Sequence, residues 1–465
     1  SMETALRRRG LKAPLMVVKG DGSLMGVEMC RERPIETILS GPAASVVGTR
    51  LLAKAKEGLV VDIGGTTTDM AMLKNGMPVL NPRGALVGGW QTHVEAIDIR
   101  TFGLGGDSHV QAGSEKSLCV GPKRVIPLAV LALQYPDVIR ELQQLDALTR
   151  IHHGLHPDVF YLMMDKEVQQ ASRLNDIDAL LLKELSSGPC SEATLAGDPV
   201  DYRCLWALER LEQLDYVARA GLTPTDVLHV KGQCALGLAE ASALGLRLVA
   251  RSLRIEPDVL AERILENVYR KLALEMFTHV AFGRRAELRM PGCASCEYLL
   301  EQWAENGAGG SGEFQVELIL KRPVLGVGAP AGSFIPAAAG RLKTQCVIPP
   351  HAGVANAVGA IAGSVVAQVA SHIRPGKGGD FILHSPVGRE VFLTLDEAVQ
   401  KARRVVVDLA TRKAREEGAT TLELYVEEQS LQPETQWGEA IFIEHTVTAR
   451  AVGRPLVAER TWGLG

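Results

Sequence analysis

The stretch Val61-Asp62-Ile63-Gly64-Gly65-Thr66-Thr67-Thr68-Asp69 decides the fold. Leu59 to Ile63 is a short apolar run interrupted by one carboxylate, the pattern of a buried strand. Gly64-Gly65 lets the backbone turn tightly and come close to a ligand. Met70 to Leu73 returns as a second strand, and Asn75-Gly76 marks the next hairpin turn. Successive N–H groups in such a turn can converge on phosphate oxygens. Gly64, Gly65, Thr66, Thr67 and Thr68 are therefore candidate phosphate contacts. Asp62 and Asp69 would repel phosphate directly, but they can hold Mg²⁺, usually through water, which makes them the candidate catalytic and metal residues. A plain β-hairpin with surface threonines is the alternative, although it does not need a carboxylate at each end of the turn.

Two further glycine-rich loops lie farther along. Thr101-Phe102-Gly103-Leu104-Gly105-Gly106-Asp107-Ser108 follows a strand-like alternation from Val94. Its Gly105 and Gly106 allow close backbone approach to a ligand, and a plain loop fits as well. Gly326 to Gly332 follows a strand expected over Phe314–Leu320 and contains a Gly-x-Gly-x-x-Ala pattern. A dinucleotide site would need an acidic residue roughly 20 positions on, yet there is no Asp or Glu between Leu318 and Gly379. The loop remains a surface on which an adenine can lie, through Gly326, Gly328, Ala329 and Pro330. No Gly-x-x-x-x-Gly-Lys-Ser/Thr sequence occurs, so a P-loop is excluded.

The length of 465 residues suggests roughly two to four domains. Leu15 to Val18 is strand-like, and Ala43 to Leu52 has the small-residue periodicity of a buried helix. Residues 1–127 read as the first part of a nucleotide-binding lobe. Residues 128–228 turn helical and leucine-rich. Asp178–Leu185, Ser191–Ala196 and Tyr202–Leu214 are expected helices, and Asp215–Arg219 follows as a wing, so this is a winged-helix-like insert. Residues 229–373 resume the lobe with a long amphipathic helix over 255–283. Arg374 to Gly379 looks like a linker, and 380–465 reads as a small C-terminal α+β domain.

Composition narrows the function classes. The chain is 46% apolar and 22% charged with a formal net charge of -4. That is a globular composition without the basic excess of a nucleic-acid binder. Eight scattered cysteines do not make a disulfide framework and fit reduced thiols in the cytoplasm. No signal peptide is read at the N-terminus. The most membrane-like stretch, Val354 to Ala370, is broken by Asn356, Ser364 and Gln368 and reads as a buried helix, so no membrane partner is expected.

These segments together resemble the hydantoinase A/5-oxoprolinase family, within the actin/hexokinase/Hsp70-like ATPases. Pro34 to Ala44 resembles the segment before the family's phosphate turn, and Asp62 to Asp69 the turn itself. Thr101 to Ser108 is similar to the next glycine-rich loop, with Asp107 where a glycine is expected. Gly326 to Gly332 resembles the adenosine loop, and Ile348 to Gly359 the segment after it. The resemblance covers most of residues 15 to 365. It implies an α/β fold with an actin-like ribonuclease-H-type lobe, and ATP and Mg²⁺ as cofactors. It also implies ATP-dependent opening of a cyclic amide such as a hydantoin or an oxoproline. Phosphorylation of the carbonyl oxygen would make a leaving group and let water attack. Some relatives carboxylate instead, commonly with a second hydantoinase-type subunit, and a homo-oligomer is expected. Members normally begin with another turn of this kind. This chain has one, matching the second, so it is expected to lack the N-terminal lobe.

Other residues carry weaker signals. Cys293-Ala294-Ser295-Cys296 supplies two metal ligands where a structural zinc site usually needs four, so ordinary thiols are expected. His152, His153 and His156 read as a polar loop. His93 and His109 flank the second glycine-rich loop and could approach a substrate. A nucleotide-sensing regulator that uses the insert on DNA is the rival function. The recognition segment Ser191–Ala196 carries no Arg or Lys, which disfavours it.

Overall fold

A computed structural model describes residues 2–10, 13–81, 83–87, 90–113, 117–148, 155–164, 174–283, 293–306, 314–433 and 440–455. The fold is mixed α/β and divides into two units, each gathered from separated stretches of chain. Residues 1–51, 78–98 and 355–465 form one, and residues 52–77 and 99–354 the other.

The second unit is built on a sheet containing β1 (Gly58–Ile63), β2 (Thr68–Lys74), β3 (Ile99–Phe102), β4 (Val324–Val327) and β5 (Cys346–Val347), in the order β3-β2-β1-β4-β5. β2 runs antiparallel to both β1 and β3, whereas β1, β4 and β5 are parallel. Leu59, Val60, Val61 and Ile63 are all buried, as a strand covered on both faces requires. Ile264, Val268 and Leu272 of the Pro257–Phe282 helix and Phe334 and Ile335 of the Ala331–Arg341 helix complete the same core. Each such side chain contributes about 1.5–3 kcal/mol on full burial. Phe314–Leu320, expected as a strand, lies outside any ladder. The Leu320 N–H donates to the Leu342 carbonyl, but no continuous strand pairing forms there.

The parallel β1–β4 pair requires a long crossover, and a second, four-stranded sheet lies within it. Ile126–Pro127, Val217–Gly221, Phe160–Met163 and Cys190–Ser191 are neighbours in that order. The helices around it are Asp176–Leu185, Glu192–Ala196 and Tyr202–Gln213. Asn175 caps the first reciprocally: its side chain accepts from the Asp178 N–H while Asp178 accepts from the Asn175 N–H. The expected wing is strand from Val217 onward, paired with both Phe160–Met163 and Ile126–Pro127. His152 and His153 lie outside the described residues.

In the first unit β6 (Val365–Pro375), β7 (Phe381–Ser385), β8 (Gly388–Phe392), β9 (Ala419–Leu431) and β10 (Glu444–Pro455) form an antiparallel sheet ordered β8-β7-β6-β10-β9. The Leu395–Glu416 helix covers it through Ala398, Ala402, Val406, Ala410 and Ala414. Four-residue spacing places them on one stripe, and the alanines let the helix lie close to the sheet. Thr394 caps this helix by accepting from the Glu397 N–H at 3.3 Å.

Two expectations fail here. The buried helix over Val354–Ala370 stops at Ala362, and Val365 onward is β6. Gly363-Ser364 breaks the helical pattern, and the β-branched pair Val365-Val366 then favours strand. Arg374 and Pro375 are not linker but the end of β6, with a tight turn to β7 closed by the Gly376 N–H and the Asp380 carbonyl. The expected helix after Ser40-Gly41-Pro42 is present as Ser40–Ala53. It meets the Ala355–Ala362 helix backbone to backbone. A Cβ on Gly48 would lie 1.8 Å from the Ala355 carbonyl oxygen, and one on Gly359 1.9 Å from that of Ala44.

Candidate functional site

The site grows from the ends of β1 and β4, which point the same way as parallel neighbours. Ligands in α/β sheets collect at the carboxyl ends of such strands. The Gly64 N–H donates to the Thr67 carbonyl at 3.0 Å and closes the turn. Asp62 pairs with Asp69 across β1 and β2, so the two carboxylates share a face. Burial pushes the Asp69 carboxyl above its ordinary range and the nearby Asp62 charge adds to this, while a hydrogen bond from the Thr101 hydroxyl opposes it. Thr66 is exposed and Thr67 half-buried. Thr68 is buried, and its hydroxyl donates to the Leu104 carbonyl at 2.7 Å. Its role in these contacts is to tie the turn to the second loop.

That second loop is stitched directly onto the turn. The Gly106 N–H donates to the Gly64 carbonyl at 3.0 Å and the Asp107 N–H to the Gly65 carbonyl at 2.8 Å. A Cβ on Gly105 would fall 2.4 Å from the Gly65 carbonyl oxygen, so no other residue permits this approach. The third loop closes in the same way. Gly328 has φ +102°, and a Cβ there would lie 2.0 Å from the Ile63 carbonyl oxygen. Gly326 differs: it sits within β4 against Ile335 and Ile348, and so packs the core.

A cavity of about 510 Å³ opens beside these loops. Of the residues singled out from sequence, Gly65, Gly106, Ala329 and Pro330 line it. The others shape the loops behind it. Asp107, Arg124 and Thr225 also face it, and the sequence reading had assigned them no role. The Thr225 N–H and hydroxyl both donate to the Gly106 carbonyl at 2.8 Å. The only sequence signal for Thr225 is the Thr223-to-Asp226 capping box that starts its helix. Arg124 had no signal at all. Its guanidinium lies 3.4 Å from the Asp107 carboxylate. Burial pushes the Asp107 carboxyl up, and Arg124 works against that shift.

The donor set can be tested against ATP and Mg²⁺. No backbone carbonyl among the described residues accepts from the N–H groups of Gly65, Thr66 or Thr67, so no ladder or turn bond ties them down. The Asp62–Asp69 pair offers hard oxygen ligands, and a cation would relieve their mutual repulsion. Among the described residues no group of three or more His, Cys, Asp or Glu is arranged to hold a metal. Mg²⁺ would therefore rest on these two carboxylates, water and phosphate. The fit is good at the turn and opposed by one group, Asp107. Its carboxylate oxygen lies 2.3 Å from where a Gly65 Cβ would stand.

His93 and His109 part company. His93 lines a different cavity, in the first unit, beside Lys19 and Glu95. His109 is fully buried, with neither ring nitrogen hydrogen-bonded among the described residues. Burial, helped by Arg219, lowers its pKa to about 3, so it cannot approach a substrate. Its neutral ring costs stability as acid is added. Between an unfolded value of 6.5 and about 3 the unfolded chain binds the extra proton, so stability falls as pH drops. Asp158, raised to about 6 by burial, acts in the opposite sense over the upper part of that window. His109→Gln is therefore expected to flatten the loss of urea stability between pH 6.5 and 4.5. A curve parallel to that of the unmodified protein would refute the assignment.

Residues 1–126, which include the turn, the second loop and Arg124, match the hydantoinase/oxoprolinase family. The family match stops short of the third loop at Gly328. No curated protein matches the chain. Among solved structures, nucleotide-free acetone carboxylase, from work on ATP-dependent acetone carboxylation, is similar with a TM-score of 0.52 at 11% identity. The likeness covers 99% of this chain and 56% of that one, and it is a likeness of fold. The ATP-dependent caprolactamase from Pseudomonas jessenii gives 0.48 at 14% identity, over 100% of this chain and 57% of the other. The chain thus spans little more than half the length of either. Among the described residues no helix is long and apolar enough to cross a membrane.

Proposed function

We propose that the second unit binds Mg-ATP and that the protein uses it to open a cyclic amide, a hydantoin- or 5-oxoproline-like lactam. The observation that carries this reading is the meeting of three glycine-rich loops at the carboxyl ends of β1 and β4 beside one cavity. The hydantoinase/oxoprolinase match of residues 1–126 supports the same chemistry. The order β3-β2-β1-β4-β5 with β2 alone reversed supports an actin-like, ribonuclease-H-type lobe. The second sheet and its helices would then be the insert.

In this reading Gly65, Thr66 and Thr67 hold phosphate through N–H and hydroxyl groups, while the Gly64 N–H is taken up in closing the turn and cannot serve as the phosphate contact expected of it. Asp62 and Asp69 hold Mg²⁺ through water, and Ala329 and Pro330 form the adenosine wall. Thr68, Gly105 and Gly328 keep the loops in register. Bound ATP would supply the phosphoryl group that makes an amide oxygen a leaving group. The chain's own part is to orient that group and to present the carboxyl groups of Asp62 and Asp69 beside it. An ATP-dependent carboxylase shares this first requirement and is the second reading, supported by the fold likeness to acetone carboxylase.

Thermal melting tests the binding claim. Mg-ATP at about 100 times its Kd is expected to raise Tm by about 5 °C, and Asp62→Ala to abolish the rise. An unchanged Tm in the unmodified chain would sink the nucleotide reading. Given binding, ATP consumption with cyclic amides, against ketones plus bicarbonate, separates hydrolysis from carboxylation.

A further inference from the structure

A second centre of chemistry lies away from this cavity. Cys293-Ala294-Ser295-Cys296 opens the Ala294–Asn306 helix. The three-residue spacing turns both side chains to one face, and their sulfurs stand 3.1 Å apart in a thiol–thiol hydrogen bond. Ala294, Ser295, Cys296 and Glu297 are exposed and Cys293 is half-buried. The helix is anchored at its other end, where Trp303 is 5% exposed, so the cysteine turn is open to solvent. A disulfide needs the sulfurs about 1 Å closer, a shift within reach of side-chain rotation in one turn.

The geometry points to Cys293 and Cys296 as a dithiol redox site that exchanges with a small-molecule disulfide of the glutathione type. The two thiols are not equivalent. The hydrogen bond between the two sulfurs holds the Cys293 thiol below its ordinary range, and the same bond pushes Cys296 up. Helix N-terminal N–H groups also favour a thiolate at this position. Cys293 is thus the attacking sulfur and Cys296 the resolving one. Elsewhere burial pushes Cys190 up to about 12 and raises Cys346 and Cys204, which keeps those thiols protonated.

The exchange balances. The Cys293 thiolate attacks one sulfur of the small disulfide, whose S–S bond breaks and releases one thiolate. Cys296 then gives up its proton and attacks the Cys293 sulfur, expelling the second thiolate as the protein S–S bond forms. The protein loses two protons and two electrons, and the small disulfide becomes two thiols.

The test treats the whole chain with graded ratios of reduced and oxidised glutathione, followed by alkylation and mass spectrometry. The Cys293–Cys296 disulfide is expected to form first, with loss of two hydrogens and no retained glutathione, while the other cysteines still alkylate. Cys296→Ser should stop with one glutathione on Cys293. Cys293→Ser should react at Cys296 at least ~10-fold more slowly. Reduced protein should capture one phenylarsine oxide, a bridging reagent for paired thiols, and neither variant should. Melting curves matching the unmodified protein show that the variants fold. Glutathione scattered over the cysteines, a disulfide mapped elsewhere, or arsenical capture that survives in both variants would overturn the proposal.

Discussion

Asp226→Ala is expected to destabilise the second unit by about 3–5 kcal/mol. The carboxylate is fully buried. It accepts from the Leu128 and Ala129 N–H groups at 3.2 and 2.9 Å, from the Thr223 N–H and hydroxyl at 3.0 and 2.8 Å, and from the Ser242 hydroxyl at 2.7 Å. Those donors begin or belong to three different helices, Leu128–Gln134, Pro224–Val230 and Ala239–Leu253. Burial pushes the Asp226 pKa up and the donors pull it back. Five donors on one carboxylate favour its charged form. Alanine would leave them all buried without an acceptor. Thr225 is the adjacent residue, so the Gly106 loop should loosen as well. Urea unfolding measures the effect, and a loss below about 1 kcal/mol would show that water or rearrangement replaces the carboxylate.

Asp107→Gly is expected to act in the other direction and tighten nucleotide binding by about 10- to 100-fold. The Asp107 carboxylate lies against Gly65 at the turn proposed to hold phosphate, within the same cavity. An anion there opposes a phosphate and also holds Arg124, which would otherwise be available to it. Glycine removes the repulsion and frees the guanidinium together. The pH dependence gives the sign independently. Because burial raises the Asp107 carboxyl above its ordinary range, it takes up its proton earlier on acidification. Protonation of Asp107 should therefore favour binding as pH falls toward that range, against the loss of charge on Asp69, whose carboxyl is also raised. Asp107→Gly should lose only the favourable part, so its affinity should fall more steeply with acid. Calorimetric titration with Mg-ATP decides the matter. Weaker binding in the variant would assign Asp107 to the metal instead.

The Gly64-Gly65 turn and its strands were legible because local chemistry alone specifies them. A run such as Leu59 to Ile63 has few alternatives once Gly64-Gly65 ends it and Thr68 to Leu73 returns. The glycines at 105 and 328 were legible as close approaches, and the structure adds what they approach, the carbonyls of Gly65 and Ile63. Gly326 was misplaced because a glycine that admits a ligand and one that admits Ile335 and Ile348 look alike in sequence. Thr225 and Arg124 were invisible for a different reason. They reach the cavity through chain reversals set by tertiary packing, and nothing in their neighbourhoods marks the destination. His109 illustrates the limit from the other side. It is near the loop in sequence, but its place in the strand Ser108–Ala112 turns it inward.

The pairing of Leu59 with Val324 also bears on how the chain is made. β1, β2 and β3 leave the ribosome before the crossover, but the strand that covers the open side of β1 is synthesised only after all of it. At about 5–20 residues per second, β1 waits on the order of tens of seconds for its partner. During that time Leu59-Val60-Val61 presents an apolar strand with unpaired N–H and carbonyl groups, the kind of edge that recruits other chains. Its closure carries the slow kinetics of a contact distant in sequence. Nascent chains released before Val324 should aggregate through this edge, and chaperone demand should be greatest over that interval of translation.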